Sequence, residues 1–206
     1  MTDAAVRITL MRHGETAGPL HVLRGKHDTP LAAAGWRQMQ YAAAAANTPP
    51  FSAIAASPLA RCRAFAEKFA AEGQLPLTFY AGLEELDFGD WEELTPLEAQ
   101  TATPELFTRF QIDPEGLAPP QGESFTAFRQ RVHAAFHACL AQHPQGHVLI
   151  VTHAGVMRIV LSETLGLSWE AAQRIALPPA ATCQLSFLQG HAPYLLNLNG
   201  GSSCAT

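Results

Sequence analysis

Two arginines and two histidines follow short apolar segments of the sequence that have the length of β-strands. Arg12 and His13 come directly after the first segment, Arg61 lies a few residues beyond the second, and His153 follows a later one. Arginine presents a fixed fork of N–H donors that matches the oxygens of a phosphate. A histidine whose ring has one unprotonated nitrogen can act as a nucleophile. This combination of residue types is suited to phosphoryl transfer, in which charge must be stabilised on the transferred group.

Neighbouring residues add to this interpretation. Gly14 and Gly155 each lie within two residues of one of the histidines and would let backbone amides approach an anion closely. A helix that begins after Ala154 would direct its N-terminus toward the same place, which favours negative charge. The carboxylate-rich segment Leu83–Glu92 could supply the proton that a leaving alkoxide needs.

The elements that must position these residues alternate between strand and helix patterns. We predict strands at Val6–Met11, Phe51–Ser57, Leu75–Tyr80 and His147–Thr152, and a late hairpin of Cys183–Leu188 and Tyr194–Leu198. We predict helices at Leu31–Ala46, Leu59–Ala71, Glu123–His143 and Gly155–Leu165. This order predicts an α/β fold, a three-layer α/β/α sandwich with a mostly parallel central sheet. In such a sheet ligands bind at the carboxyl ends of the strands, where the arginines and histidines lie.

Composition excludes several classes of protein. The chain has 206 residues, of which 48% are hydrophobic and 15% are charged, so it can bury a large core and is not predominantly disordered. The net charge of -5 argues against a general nucleic-acid binder, which needs a basic surface. Because no linker, repeat or charge block divides the chain, we expect one domain over residues 1–206.

The sequence also predicts where the protein resides. No apolar segment approaches the roughly 20 residues of a membrane span, and the N-terminus lacks the apolar region of a signal peptide. The four cysteines Cys62, Cys139, Cys183 and Cys204 are scattered, with no CxxC pair. This pattern favours a reducing compartment, so we expect a cytoplasmic protein without membrane association.

Two features of the predicted long helix have less specific interpretations. His133 and His137 are four residues apart and would share a helix face, but no HExxH pattern and no third ligand accompany them. We therefore expect no metal, and no motif indicates a cofactor. Phe125, Phe128 and Phe136 recur at helical spacing, and we expect them to belong to the core.

Four motifs together resemble the histidine phosphatase superfamily, also called the phosphoglycerate mutase-like family. They are Arg12–Thr16 (RHGET), Ser57–Arg61 (SPLAR), Leu83–Glu92 (LEELDFGDWE) and Thr152–Arg158 (THAGVMR). They occur in the order of the family and extend over most of the chain. The segment Pro119–Ser124 is similar to a loop of the alpha-ribazole phosphatases within that superfamily.

The resemblance implies a role for each matching residue. His13 would be the nucleophile that forms a phosphohistidine, with His153 as a second catalytic residue that binds the phosphoryl group. Arg12 and Arg61 would bind phosphate. Glu85 would be the general acid and then the base that activates water.

The first motif departs from the family at one position. Many members have an asparagine six residues after the nucleophilic histidine, where this chain has Pro19, which has no side-chain donor. Arg24 or His27 could compensate for the missing contact. We regard Thr16 and Arg24 as candidate substrate contacts.

The leading hypothesis is a metal-independent, acid-type phosphomonoesterase that acts on a small phosphorylated substrate. The first alternative is a phosphoglycerate mutase, which would use the same residues but would return the phosphoryl group to its substrate. The short stretch between Gly89 and His147 favours hydrolysis, because it alone must form any lid. The second alternative is a non-catalytic binder of phosphorylated ligands. The oligomeric state is open, with a homodimer as one option.

Overall fold

One mixed β-sheet forms the centre of the computed structural model, which describes residues 5–199. Its strands are β1 (Ala5–Arg12), β2 (Ala53–Ala56), β3 (Leu77–Phe79), β4 (Gly146–Thr152), β5 (Thr182–Leu188) and β6 (Tyr194–Leu198). They lie in the order β3-β2-β4-β1-β5-β6. The first four positions are parallel, whereas β5 runs antiparallel to β1 and β6 antiparallel to β5.

Helices cover both faces of this sheet. They are α1 (Ala33–Ala46), α2 (Ala60–Gly73), α3 (Pro96–Ala102), α4 (Pro104–Ile112), α5 (Phe125–Gln142), α6 (Ala154–Leu165) and α7 (Trp169–Gln173). Single turns of 3-10 helix occur at Ala81–Leu83 and Gly89–Trp91. Side chains of α1 and α2 form a core on one face, and those of α5 and α6 form a core on the other.

The central strand β4 shows why the sheet must be covered on both sides. Val148 and Ile150 contribute to the core beneath α5 and α6, and Leu149 and Val151 to the core beneath α1 and α2. All four side chains are fully buried. A continuous apolar strand of this kind can be stable only between two layers of helix. The predicted three-layer α/β/α sandwich with a mostly parallel sheet is confirmed.

Each predicted strand and helix is present, with ends that differ by a few residues. Three short helices, α3, α4 and α7, were not predicted from the sequence. Helix α3 begins with a capping box in which Thr95 and Glu98 bond each other's backbone N–H groups, and helix α7 has Ser168 as its N-cap. Helices of 5 to 9 residues offer too few turns for a helical period to stand out from the sequence.

The three cysteines within residues 5–199 are Cys62, Cys139 and Cys183, and all have buried, free thiols. Cys204 lies outside the described residues. None of the described helices is both long and apolar enough to cross a membrane.

The rings of His133 and His137 pair on an exposed face of α5, with their centroids 4.2 Å apart. In the part of the chain that the structure describes, no group of three or more His, Cys, Asp or Glu side chains is arranged to hold a metal ion. This pair therefore has no third protein ligand there.

The core beneath α1 and α2 gives a direct test of the packing. Phe65 is 1% exposed and contacts the rings of Trp36 and Phe69, with centroid distances of 6.0 and 5.5 Å. We expect Phe65→Ala to lower the free energy of unfolding by about 3–5 kcal/mol, because it removes buried apolar surface and leaves a cavity. Urea denaturation measures the change. Leu97→Ala, at a side chain that is 72% exposed, is the matched control and should change stability by less than about 0.5 kcal/mol.

Candidate functional site

The residues that follow β1 and β4 lie close together at the carboxyl ends of these two strands. The His13 amide donates to the Thr152 carbonyl at 2.9 Å, which joins the chain after β1 to the end of β4. The rings of His13 and His153 meet edge to face, with centroids 5.3 Å apart. Arg61, in the first turn of α2, exerts its charge on both rings. The predicted convergence at one sheet edge is therefore observed.

Hydrogen bonding fixes which nitrogen of His13 can react. The ring Nδ1 lies 2.8 Å from the Gly14 carbonyl oxygen, which can only accept, so Nδ1 carries the proton. Burial, followed by the charges of Arg12 and Arg61, holds the pKa of His13 well below its ordinary value. The ring is therefore neutral at neutral pH, and its Nε2 keeps a free lone pair.

The guanidinium groups of Arg12 and Arg61 bond mainly to carbonyl oxygens. Nη1 of Arg12 donates to the Leu177 carbonyl at 2.5 Å, and Arg61 is fully buried. Within residues 5–199, neither group pairs with a carboxylate, and the Nε of each is buried without a hydrogen-bond partner. Two cations, the partly buried Arg12 and the fully buried Arg61, thus have unused donors, and together they form a site for a small anion.

Arg61 also holds a loop in place. Its Nη1 donates to the His27 carbonyl at 2.9 Å, and its Nη2 donates to the carbonyls of Arg24 at 3.4 Å and Gly25 at 2.5 Å. Nothing in the sequence indicates these contacts, since they join residues 34 to 37 positions apart. Arg61 is fully buried, so its guanidinium group is shielded from solvent although it lies on a helix.

His153 occupies the inner side of the site and is fully buried. Its Nε2 lies 2.8 Å from the Ser57 hydroxyl, and its Nδ1 is buried without a partner. Burial, with the nearby charge of Arg61, lowers the pKa of His153 well below its ordinary value. The adjacent Cys62 thiol lies 3.7 Å from Nε2, and burial raises the pKa of Cys62 to about 12, so this thiol stays protonated.

Glu85 is the buried carboxylate of the site, and backbone amides orient it. Its Oε2 accepts from the Gly155 amide at 3.0 Å and its Oε1 from the Leu86 amide at 3.1 Å. A Cβ atom on Gly155 would lie only 2.2 Å from Oε1, so a side chain at that position would displace the carboxylate. Glu92 belongs to the same acidic segment, but its carboxylate accepts from the amides of Gly25 and Lys26 and so holds that loop in place.

Arg131 on α5 bonds the backbone that carries Glu85, and it was not predicted as a site residue. Its Nη2 donates to the Glu85 carbonyl at 2.8 Å, and its Nη1 donates to the carbonyls of Glu84 at 2.7 Å and Gly82 at 3.1 Å. Its Nε and Nη2 also form a bidentate ion pair with Glu123, both at 2.7 Å. In the sequence, Arg131 follows Arg129 and Gln130 in a polar stretch of the predicted helix, a pattern that is too common to identify its role.

The candidate contacts Thr16 and Arg24 lie side by side. Arg24 donates to the Thr16 hydroxyl, to the Pro19 carbonyl at 3.0 Å and to the Glu93 carboxylate at 2.8 Å. This pairing lowers the pKa of Glu93. The side chain of Pro19 is exposed, and the loop is connected to the site by the hydrogen bond from Arg24 to the Pro19 carbonyl. A role of Thr16 and Arg24 in contacting substrate stays a prediction.

A cavity of about 410 Å³ opens beside the anion site, and Arg12, Glu85 and Gly155 contribute to its wall. Its aromatic lining residues are Phe88, Phe107, Phe110, Phe125, Phe128 and Trp169. Phe125 and Phe128 were expected in the core, and they are buried there while also lining the cavity; Phe136 belongs to the core alone. Residues of α4 and α7, the helices that the sequence did not indicate, form part of the wall.

Known proteins resemble this chain over most of its length. The model of the histidine phosphatase superfamily (branch 1) matches residues 8–199. The chain is 33% identical over 169 residues to the adenosylcobalamin/alpha-ribazole phosphatase of Escherichia coli (strain K12), covering 81% of this chain and 82% of that protein. It is 32% identical over 197 residues to a probable phosphoglycerate mutase, GpmB, of Proteus mirabilis (strain HI4320), covering 93% and 89%.

Solved structures show the same fold. The crystal structure of the alpha-ribazole phosphatase from Shigella flexneri has a TM-score of 0.80 to this chain, with 29% sequence identity over 94% of this chain and 96% of that one.

The neutral histidines predict how stability depends on pH. In the unfolded chain their pKa is about 6.5, whereas in the folded state the pKa values of His13 and His153 lie well below it. The unfolded state therefore binds more protons than the folded state near pH 6. The contribution of the two neutral histidines to the free energy of unfolding is complete above about pH 6.5 and decreases as the pH is lowered.

We expect the double variant His13→Asn/His153→Asn to show a shallower fall between pH 7.5 and 5.5 in urea denaturation. The buried His147, whose pKa burial also lowers, retains part of the dependence. His191→Asn, at an exposed residue, is the control and should follow the wild type. A double variant with the same pH dependence as the wild type would contradict the assignment.

Proposed function

Because the chain belongs to the histidine phosphatase superfamily, we propose that it hydrolyses small phosphate monoesters through a phosphohistidine on His13. One observation carries this proposal. The unprotonated Nε2 of His13 lies in a site where Arg12 and Arg61 each keep a buried Nε without a partner. A binding site alone would need the arginines but not a nucleophile held in one tautomer.

In the first step, His13 Nε2 attacks phosphorus and forms an N–P bond while the ester P–O bond breaks. Arg12, Arg61 and His153 stabilise the negative charge on the remaining phosphoryl oxygens. Glu85, as a carboxylic acid, donates its proton to the leaving oxygen, and the alcohol departs. The cavity adjoins Glu85, which places the alcohol part of the substrate there.

In the second step, the Glu85 carboxylate takes a proton from a water molecule, whose oxygen attacks phosphorus. The N–P bond breaks, inorganic phosphate leaves and His13 regains its lone pair. Gly155 matters in both steps because its amide orients Glu85. Arg131 acts as a positioning residue, since it bonds the backbone that carries Glu85.

The substrate class takes support from the relatives. One of them is named an alpha-ribazole phosphatase, and a bulky alcohol of that kind is compatible with a cavity of about 410 Å³. The alternative of a phosphoglycerate mutase takes support from the 32% identity to the Proteus protein. Measuring free phosphate beside the isomerisation of phosphoglycerate separates the two, and we expect phosphate to be the main product.

The nucleophile can be tested directly by trapping. Wild-type protein mixed with a ³²P-labelled ester and quenched in alkali should retain label on His13, whereas His13→Ala should hold none and release phosphate at least about 10⁴-fold more slowly. His133→Ala, at an exposed histidine of α5, is the matched control and should behave as the wild type. Full activity in His13→Ala would refute the proposed mechanism, and ester binding without hydrolysis by the wild type would favour a non-catalytic binder.

The close approach of Gly155 to Glu85 gives a second test. We expect Gly155→Ala to lower kcat for phosphate release roughly 10²-fold, because the new methyl group displaces the acid from its reactive position. Steady-state kinetics measures the effect. Gly73→Ala, where the new Cβ meets only the side chain of Leu75 at 3.2 Å, is the control and should keep wild-type kcat. An unchanged kcat in Gly155→Ala would contradict the role of Glu85 as the general acid and base.

A further inference from the structure

Arg158 is a cation that neither the packing nor the proposed mechanism uses. It lies on α6, one turn beyond Gly155, and contributes to the wall of the aromatic cavity. Among residues 5–199 it forms no ion pair, and its Nε is buried without a hydrogen-bond partner. Leaving a partly buried guanidinium without a partner is costly, unless a ligand supplies one.

A second unused donor belongs to the same cavity. The indole Nε1 of Trp169 is buried without an acceptor, and Trp169 lines the wall together with Phe110 and Phe125. Packing explains why aromatic rings gather here, but it does not explain two buried N–H donors with no acceptors. The cavity therefore combines flat apolar walls with the guanidinium group of Arg158, which can bond an oxygen acceptor.

The position of the cavity decides which part of a ligand would enter it. Arg12 and Glu85 form the boundary between the cavity and the anion site, and His13 does not line the cavity. A phosphoryl group at His13 would thus place its alcohol part against the aromatic walls. Arg158 would then meet a group on that alcohol, at a distance from the phosphate.

We propose that the substrate is a phosphate ester of an aromatic alcohol bearing a second anionic group, a carboxylate, and that Arg158 is the residue that selects it. This inference rests on the proposed function, since it names the substrate class of the same site. A guanidinium fork binds a carboxylate through two parallel N–H···O bonds, and the aromatic walls exclude water from that pair. Trp169 contributes its ring to the wall beside the same part of the ligand.

Arg158 could instead act through Glu85, because the charges of the two side chains interact. The two roles differ in their effect on substrates. Loss of an influence on Glu85 would slow every ester to the same extent, whereas loss of a carboxylate contact would slow only esters that carry the carboxylate. A comparison of paired substrates therefore separates them.

The test compares kcat/KM for 3- and 4-carboxyphenyl phosphate with kcat/KM for phenyl phosphate. The intrinsic reactivity of each ester is the same for every enzyme form, so it cancels when the ratios are compared. We expect Arg158→Gln to lower the ratio for the better carboxylated ester at least about 10-fold, and Arg158→Lys to lower it less. Arg63→Gln, at an exposed arginine of α2, should leave the ratio at the wild-type value.

Binding of phosphonates, which are not hydrolysed, gives a readout independent of turnover. By calorimetry, 4-carboxybenzylphosphonate should bind the wild type at least about 10-fold more tightly than benzylphosphonate or 3-phosphonopropanoate. Arg158→Gln should remove the advantage over benzylphosphonate, and circular dichroism at the same temperature confirms that the variant is folded. Equal affinity for the aryl and alkyl carboxylates would overturn the aromatic part of the inference.

The outcomes distinguish this inference from the function on which it rests. Phosphate release by the wild type with an unchanged selectivity ratio in Arg158→Gln would overturn the inference alone, as would an equal loss on all three esters. No phosphate release from any ester, with or without a carboxylate, would overturn the proposed function and the inference together.

Discussion

The guanidinium groups of Arg12, which is partly buried, and Arg61, which is fully buried, lie at one edge of the sheet, and neither is paired with a carboxylate within residues 5–199. Burial of an uncompensated cation has a large desolvation cost, and here it is offset only in part by backbone carbonyls. The Nε of each group has no hydrogen-bond partner among the residues that the structure describes. The surrounding structure can be understood as the support that keeps this cationic site in place until an anion occupies it.

Burial, together with the same positive charge, determines the protonation state of the histidines. Burial and the two arginines keep His13 and His153 neutral, and the Gly14 carbonyl fixes the tautomer of His13. A histidine that carried a proton would add to the repulsion and would have no lone pair to react. One electrostatic constraint thus attracts the phosphoryl group and leaves the nucleophile ready for it.

The architecture and the strand-end residues could be predicted from the sequence because both depend on local patterns. Continuous apolar strands such as β4 indicate a sheet covered on both faces, and the chemistry-bearing residues follow those strands directly. The helices α4 and α7 could not be predicted in the same way. Each is too short to show a period, and they matter because their side chains help to enclose the cavity.

The supporting contacts of the site could not be predicted for a different reason. Arg131 bonds carbonyl oxygens 46 to 49 residues away, and Arg61 bonds those of a loop 34 to 37 residues away. A backbone carbonyl is present at every residue, so its use as an acceptor leaves no mark on residue type. The fit of Gly155 against Glu85 likewise depends on a distance of 2.2 Å that only the folded chain defines.

The proposed mechanism depends above all on Nε2 of His13 being the reactive atom. The direct measurement is ³¹P–¹⁵N NMR of protein labelled with ¹⁵N-histidine, reacted with a phosphate ester and quenched in alkali, where the N–P bond survives. We expect a single phosphohistidine, phosphorylated on Nε2 of His13 and absent from His13→Ala. Phosphorylation of Nδ1, or of any residue other than His13, would contradict it.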